Sequence, residues 1–199
     1  MTKSFEKILK QYEEHCRKIE QSATVNINET PKEKIKRINE LEKDYVDWFE
    51  YHFQMYAKSK CAWFHKKLAK LIIDNPDGSL LGEIYRSGAK SVHLDMGIPL
   101  YLYLVKKDLF FMLLIGETVD KAKKLISDIQ AQLQHNPRLI NDYGKRFNYG
   151  DWTSGDFTTT DGVTKRETVS SDVKYSLPVL TAKLTQGFAD GKANASVRG

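Results

Sequence analysis

Arg86-Ser87-Gly88-Ala89-Lys90-Ser91 holds the side chains best suited to chemistry in this chain. A lysine followed by a hydroxyl, at the exit of a small-residue turn, is the donor set of a phosphate-binding loop. Backbone N–H groups point at phosphate oxygens, the ammonium adds a flexible positive charge, and the hydroxyl can hold Mg²⁺. A helix starting there adds the positive end of its dipole. By this reading Lys90 contacts the β and γ phosphates and Ser91 holds the metal. Arg86 gives a planar, two-pronged phosphate contact able to stabilise charge in phosphoryl transfer. Ser87, Gly88 and Ala89 keep the backbone close to the ligand. The alternatives stay open. Ile84 and Ala89 occupy the two glycine positions of the consensus loop, Ser91 can be a helix cap, and Arg86 can be one half of an ion pair.

Such a loop needs a strand leading in and a helix leading out. Leu80, Leu81 and Ile84 supply a short apolar run before it. Val92, Leu94, Met96, Ile98 and Leu100 open a helical pattern after it, with Pro99 expected to kink or end that helix. Leu109–Ile115 is a continuous apolar run of strand length, as in a central parallel strand. Val119–His135 has helical spacing and Asn136-Pro137 stops it. Strand, helix, strand, helix over residues 80–135 is the start of an α/β parallel sheet. From residue 138 onward Gly, Thr, Ser and Asp rise. Phe157–Thr160, Lys174–Leu177 and Val179–Leu184 alternate like strands.

The N-terminal part is helical. Residues 4–20 place Phe5, Ile8, Leu9, Tyr12, Cys16 and Ile19 on one stripe. Thr30-Pro31-Lys32-Glu33 is a helix start: Thr as N-cap, Pro in the first turn, Glu closing a capping box. The helix it opens is expected to reach about Met55. A further pattern covers Ala62–Ile73.

The 199 residues carry 31 Lys and Arg against 26 Asp and Glu, a net charge of +5 that is mildly basic and spread along helix faces. Cys16 and Cys61 lack a CxxC partner or histidine ligand spacing, so reduced thiols are expected rather than a zinc site. Residues 1–20 are charged throughout, and the longest apolar run is too short to cross a bilayer. A soluble, intracellular protein is expected.

Trp63-Phe64-His65 with Leu68 and Leu71, its histidine 25 residues before Lys90, is similar to an aromatic-glutamine adenine-reading element, with histidine in place of glutamine. Together with Arg86–Ser91 as a deviant Walker A loop, Leu109–Thr118 with Asp120–Gln134, Asn141-Asp142-Tyr143-Gly144 and Ser196-Val197-Arg198-Gly199, it resembles the ATPase region of tailed-phage terminase large subunits. The resemblance covers roughly residues 45–199. It implies an incomplete P-loop NTPase (RecA-like) parallel sheet over 45–199, cut before Walker B, with residues 1–44 as a helical appendage and a β-rich C-terminal part. It implies ATP and Mg²⁺ as cofactors, His65 on the adenine, and Arg86 and Lys90 as catalytic groups. Double-stranded DNA, a small terminase subunit and a portal protein follow as partners, with the cytoplasm of a phage-infected or prophage-carrying bacterium as the location. The acidic Mg²⁺ and water-orienting groups are implied downstream, so weak or absent hydrolysis is expected of this chain. Arg198 is implied near the ATP site. Glu117 and Thr118 end the apolar strand on the side where α/β ligands bind; they are read as a cap on the next helix, with contact to the attacking water as the alternative. Two other readings remain: a non-catalytic basic module that binds DNA or a partner, with Trp48, Phe49, Phe53 and Tyr56 as a docking face, and a helicase-like ATPase.

Overall fold

A computed structural model describes residues 3–81, 84–109, 111–116, 118–153, 156–162, 164–169 and 182–183. The chain divides into two compact units. One joins Met1–Cys61 to Asp128–Phe147, and the other joins Ala62–Ser127 to Asn148–Gly199. The expected boundary after residue 44 falls inside the first unit.

Three helices open the first unit: α1 (Lys3–Ser22), α2 (Pro31–Leu41) and α3 (Tyr45–His52). The apolar period runs on past Leu41, yet the helix breaks there. The Asp44 side chain accepts from the Val46 N–H at 2.8 Å and starts α3 instead. Helix α3 carries the aromatic core. Trp48, Phe49 and Phe53 are fully buried, with ring centroids 5.1 to 5.4 Å apart from Phe53 to its two neighbours. These three residues are therefore core, not a docking face. Cys16 and Ile19 of α1 pack with Ala131, flanked by Tyr12 and Met55, whereas Ile8 and Leu9 of the same stripe stay exposed.

The second unit begins with α4 (Trp63–Asp74). A continuous helical stretch then runs from residue 90 to 106: π-helical Val92–Gly97, α5 (Ile98–Tyr101), and π-helical Leu102–Lys106. Pro99 has no N–H to give, and the chain passes it by widening rather than stopping. The Ile98 N–H reaches back to the His93 carbonyl, one residue further than α-helical bonding. Strand β1 (Phe111–Gly116) leads to α6 (Val119–His135), whose residues from Asp128 on belong to the first unit. There Asn136 caps α7 (Pro137–Tyr143) through the Arg138 and Leu139 N–H groups. β2 (Asp156–Thr158), β3 (Thr164–Val169) and β4 (Ala182–Lys183) complete a small sheet in the order β2-β3-β1-β4. β1 is parallel to β3 and β4, and β2 is antiparallel to β3.

This architecture corrects the expected fold class. Helices dominate the described residues, and the protein is not a parallel-sheet P-loop (RecA-like) domain. The apolar run before Arg86 forms no strand at its described positions. Leu80 and Leu81 are 42% and 58% exposed, where a strand inside a parallel sheet would bury both faces. Gly82 and Glu83 lie outside the described residues, as do Lys174–Leu177 and Ser196–Gly199.

Candidate phosphate-binding turn and its histidine brace

Residues 85–89 form a compact turn that empties straight into the helix opened by Lys90 and Ser91. Ser87 and Ala89 take left-handed backbone conformations, φ 68° and 53°, on either side of Gly88. The Gly88 N–H donates to the Tyr85 carbonyl at 3.2 Å, closing the turn. A side chain at 88 would force its neighbours to shift. An added Cβ would stand 2.8 Å from Ile84 Cγ2 and 3.2 Å from the Tyr85 carbonyl oxygen. Alternating left-handed residues turn successive amides toward one side, the arrangement that makes anion-binding concavities.

The structure brings the expected loop residues together in this turn. Gly88 is buried, Lys90 is half-buried, and Arg86, Ser87, Ala89 and Ser91 are exposed. His65 is placed differently from an adenine reader. Its Nδ1 accepts the Ala62 N–H at 3.1 Å, so the proton sits on Nε2, which donates to the Gly88 carbonyl at 3.0 Å. Ala62, the N-cap residue of α4, has no side-chain acceptor to offer, and His65, three residues in, reaches back to take up the Ala62 N–H. One imidazole thus caps α4 and braces the turn, with both ring nitrogens spent inside the protein.

His93, one turn into the following helix, stacks on His65 with ring centroids 4.0 Å apart and planes 29° apart. Burial, helped by the neighbouring His65, pushes His93 down to about 4, so it is neutral at physiological pH. His93 could not be read from the sequence as part of this site. Its only signal was its place three residues after Lys90.

The other expected groups are accounted for one by one. Trp63 is 76% exposed and Phe64 partly so. The Thr118 hydroxyl accepts the Lys121 N–H at 3.3 Å and caps α6, while Glu117 and Arg198 lie outside the described residues. Burial and then Glu50 push the Cys61 thiol up to about 12, which keeps it protonated.

A second polar cluster, in the first unit, holds Asp142 of the Asn141–Gly144 segment. Arg37 grips its carboxylate, His52 Nε2 lies 3.1 Å from Oδ2, and Glu29 holds the other side of Arg37 at 2.7 Å. Arg37 and Arg138 both lie over the Tyr51 ring, at 4.8 and 4.3 Å. His52 Nδ1 meets the Trp48 carbonyl at 2.9 Å, so both ring nitrogens face acceptors. Nearly every group here is engaged by another, which suits a structural clamp.

The chain matches no family model, no curated protein and no solved structure. No described helix is long and apolar enough to cross a membrane.

Proposed function

We propose that this chain is the nucleotide-binding portion of a DNA-packaging motor of the terminase kind, and that the turn 85–91 receives the phosphates of ATP. The observation that carries the reading is the pair of left-handed residues, Ser87 and Ala89, set directly before a helix that Lys90 opens. A cation is disfavoured by the dipole at a helix start, so a lysine placed there suits an anionic ligand. The proposal rests on the turn and on the resemblance of its residues, and it carries no parallel-sheet P-loop fold with it.

In this reading the Lys90 ammonium and the amides of the turn other than that of Gly88, which closes the turn itself, hold the β and γ phosphates. Arg86, on the exposed rim, closes on the γ-phosphate, and the Ser91 hydroxyl takes a place in the Mg²⁺ shell. The brace from His65 fixes the Gly88 carbonyl away from the ligand and lowers the ordering needed on binding. Phosphoryl transfer also needs acidic groups for the metal and for water, and none stands within residues 85–91. The expected behaviour is weak Mg²⁺-dependent nucleotide binding with little or no turnover. Duplex DNA, a small terminase subunit and a portal protein are the proposed partners of the working motor, in the cytoplasm of the bacterial host.

Titration of a fluorescent ATP analogue with Mg²⁺ tests this. Lys90→Ala should weaken binding at least tenfold, and Arg86→Ala by a smaller factor, with the circular dichroism spectrum unchanged. Equal binding by Lys90→Ala and the parent chain, or no binding by the parent at millimolar analogue, overturns the reading.

A further inference from the structure

The solvent face of α4 joins two features that need each other only in one kind of complex. The first is aromatic. Trp63 is 76% exposed and Tyr85 is 66% exposed, and Phe64 links them edge-on with centroid distances of 6.0 and 5.6 Å. Large rings are seldom left this open in a cluster without a partner. The second is charge. Lys67 and Lys70 follow Trp63 at i+4 and i+7, so the three share one helix face over about 10 Å of axis. Both lysines are exposed, and residues 63–70 contain no carboxylate. The pair that Lys70 makes with Asp74 is a surface pair, readily exchanged for a phosphate.

We infer that this face binds single-stranded nucleic acid, with a base stacked on Trp63 or Tyr85 and the backbone phosphates running along Lys67 and Lys70. Open π-faces beside a row of ammonium groups form the platform that single strands use, because every unpaired base has a face to stack and every linkage a charge to neutralise. A duplex keeps its bases stacked inside and leaves Trp63 unused. An acidic peptide matches the lysines but has no base to lay on the rings. The inference is independent of nucleotide binding at Lys90.

The test is fluorescence anisotropy of a labelled thymidylate 20-mer with the full chain, repeated over a range of salt concentrations. Trp63→Ala should weaken binding about fivefold or more, the loss of one stacked base. Lys67→Glu with Lys70→Glu should weaken it at least tenfold and flatten the log–log salt slope by about 1.4, two phosphate contacts on a single strand. Lys7→Glu with Lys10→Glu makes the same change in net charge on α1 and should alter binding less than twofold. Trp63→Tyr should restore most of the loss, which separates stacking from damage to the fold. The inference is overturned by any of three results: Trp63→Ala binding like the parent, the α1 double variant weakening binding as much as the α4 one, or a 20-base-pair duplex binding as tightly as the strand.

Discussion

Arg37 closes a two-pronged hydrogen bond on Asp142, Nη1 to Oδ2 at 2.7 Å and Nη2 to Oδ1 at 2.9 Å, and the Asp142 side chain has no solvent-exposed surface. Removing the arginine alone takes the charged partner from a buried carboxylate and leaves it only His52 and the Asn141 amide. Arg37→Ala is expected to lower stability by about 3 kcal/mol. Replacing both partners by apolar residues, Arg37→Met with Asp142→Leu, should lose less than the sum of the single losses. Urea unfolding of the two single variants and the pair decides it. Additive losses would show that the grip is incidental.

The same clamp and the histidine pair separate along the pH axis. Burial alone would raise the Asp142 carboxyl, but hydrogen bonds from Arg37 and His52, with their charge, hold it well below the usual carboxylate range. Its contribution is therefore complete above an ordinary carboxylate pKa of about 4 and is lost as pH falls below that. His93 is depressed as well, to about 4. A buried neutral histidine contributes fully above about 6.5 and loses that contribution between there and its folded value. Stability should thus fall in two stages on acidification. His93→Gln should flatten the stage between about pH 6.5 and 4 and leave the lower one. A titration of urea midpoints from pH 7.5 to 3 that shows the same upper slope in His93→Gln would contradict the burial argument.

Backbone strain gives a sign that contacts alone do not. An L-residue in the left-handed region costs about 1–2 kcal/mol, and glycine gives back only about 0.4–1 kcal/mol through the freedom of the unfolded chain. Ala89→Gly, at φ 53°, should therefore raise stability by about 0.5 kcal/mol, where the same change in a helix interior would lower it. Gly88→Ala should lower it by more than 1 kcal/mol, about the figure for overpacking, because its Cβ meets Ile84 and the Tyr85 carbonyl. Chemical denaturation of both variants tests the turn without any ligand.

Local signals were legible in this sequence and distant pairings were not. The α6 bounds and the capping box at Thr30 follow from periodicity and cap chemistry, and the continuous apolar run Leu109–Ile115 marks a strand that the structure places at Phe111–Gly116. Leu80, Leu81 and Ile84 read as a strand because strand propensity is local, whereas strand formation depends on a neighbour to pair with. The long helix expected from residue 31 split at Asp44 because one carboxylate competed for the backbone of Val46. At the turn, residue types were readable and roles were not. His65 looked like a ligand-reading histidine, and only the missing cap at Ala62 shows why its ring is spent on the backbone. Arg37 and Asp142 stand 105 residues apart, and no spacing rule joins them.

The capping box that opens α2 is reciprocal and can be tested as a unit. Thr30 Oγ1 accepts the Glu33 N–H at 3.4 Å, and Glu33 Oε2 accepts from the Thr30 N–H at 2.9 Å and its hydroxyl at 2.7 Å. Those two donors hold the Glu33 carboxyl below its usual range, so the box is fully formed above that range and weakens as the group protonates. Thr30→Ala should destabilise the protein by about 1 kcal/mol and Thr30→Ser by much less. Thr30→Ala removes the hydroxyl bond to Glu33 but keeps the backbone N–H bond, so Glu33→Gln should lose less in the Thr30→Ala background than in the parent. A double-mutant cycle by urea unfolding at pH 7 reads this coupling directly. Independent effects would mean that Pro31, which fixes the first helical φ, starts the helix without help from the box.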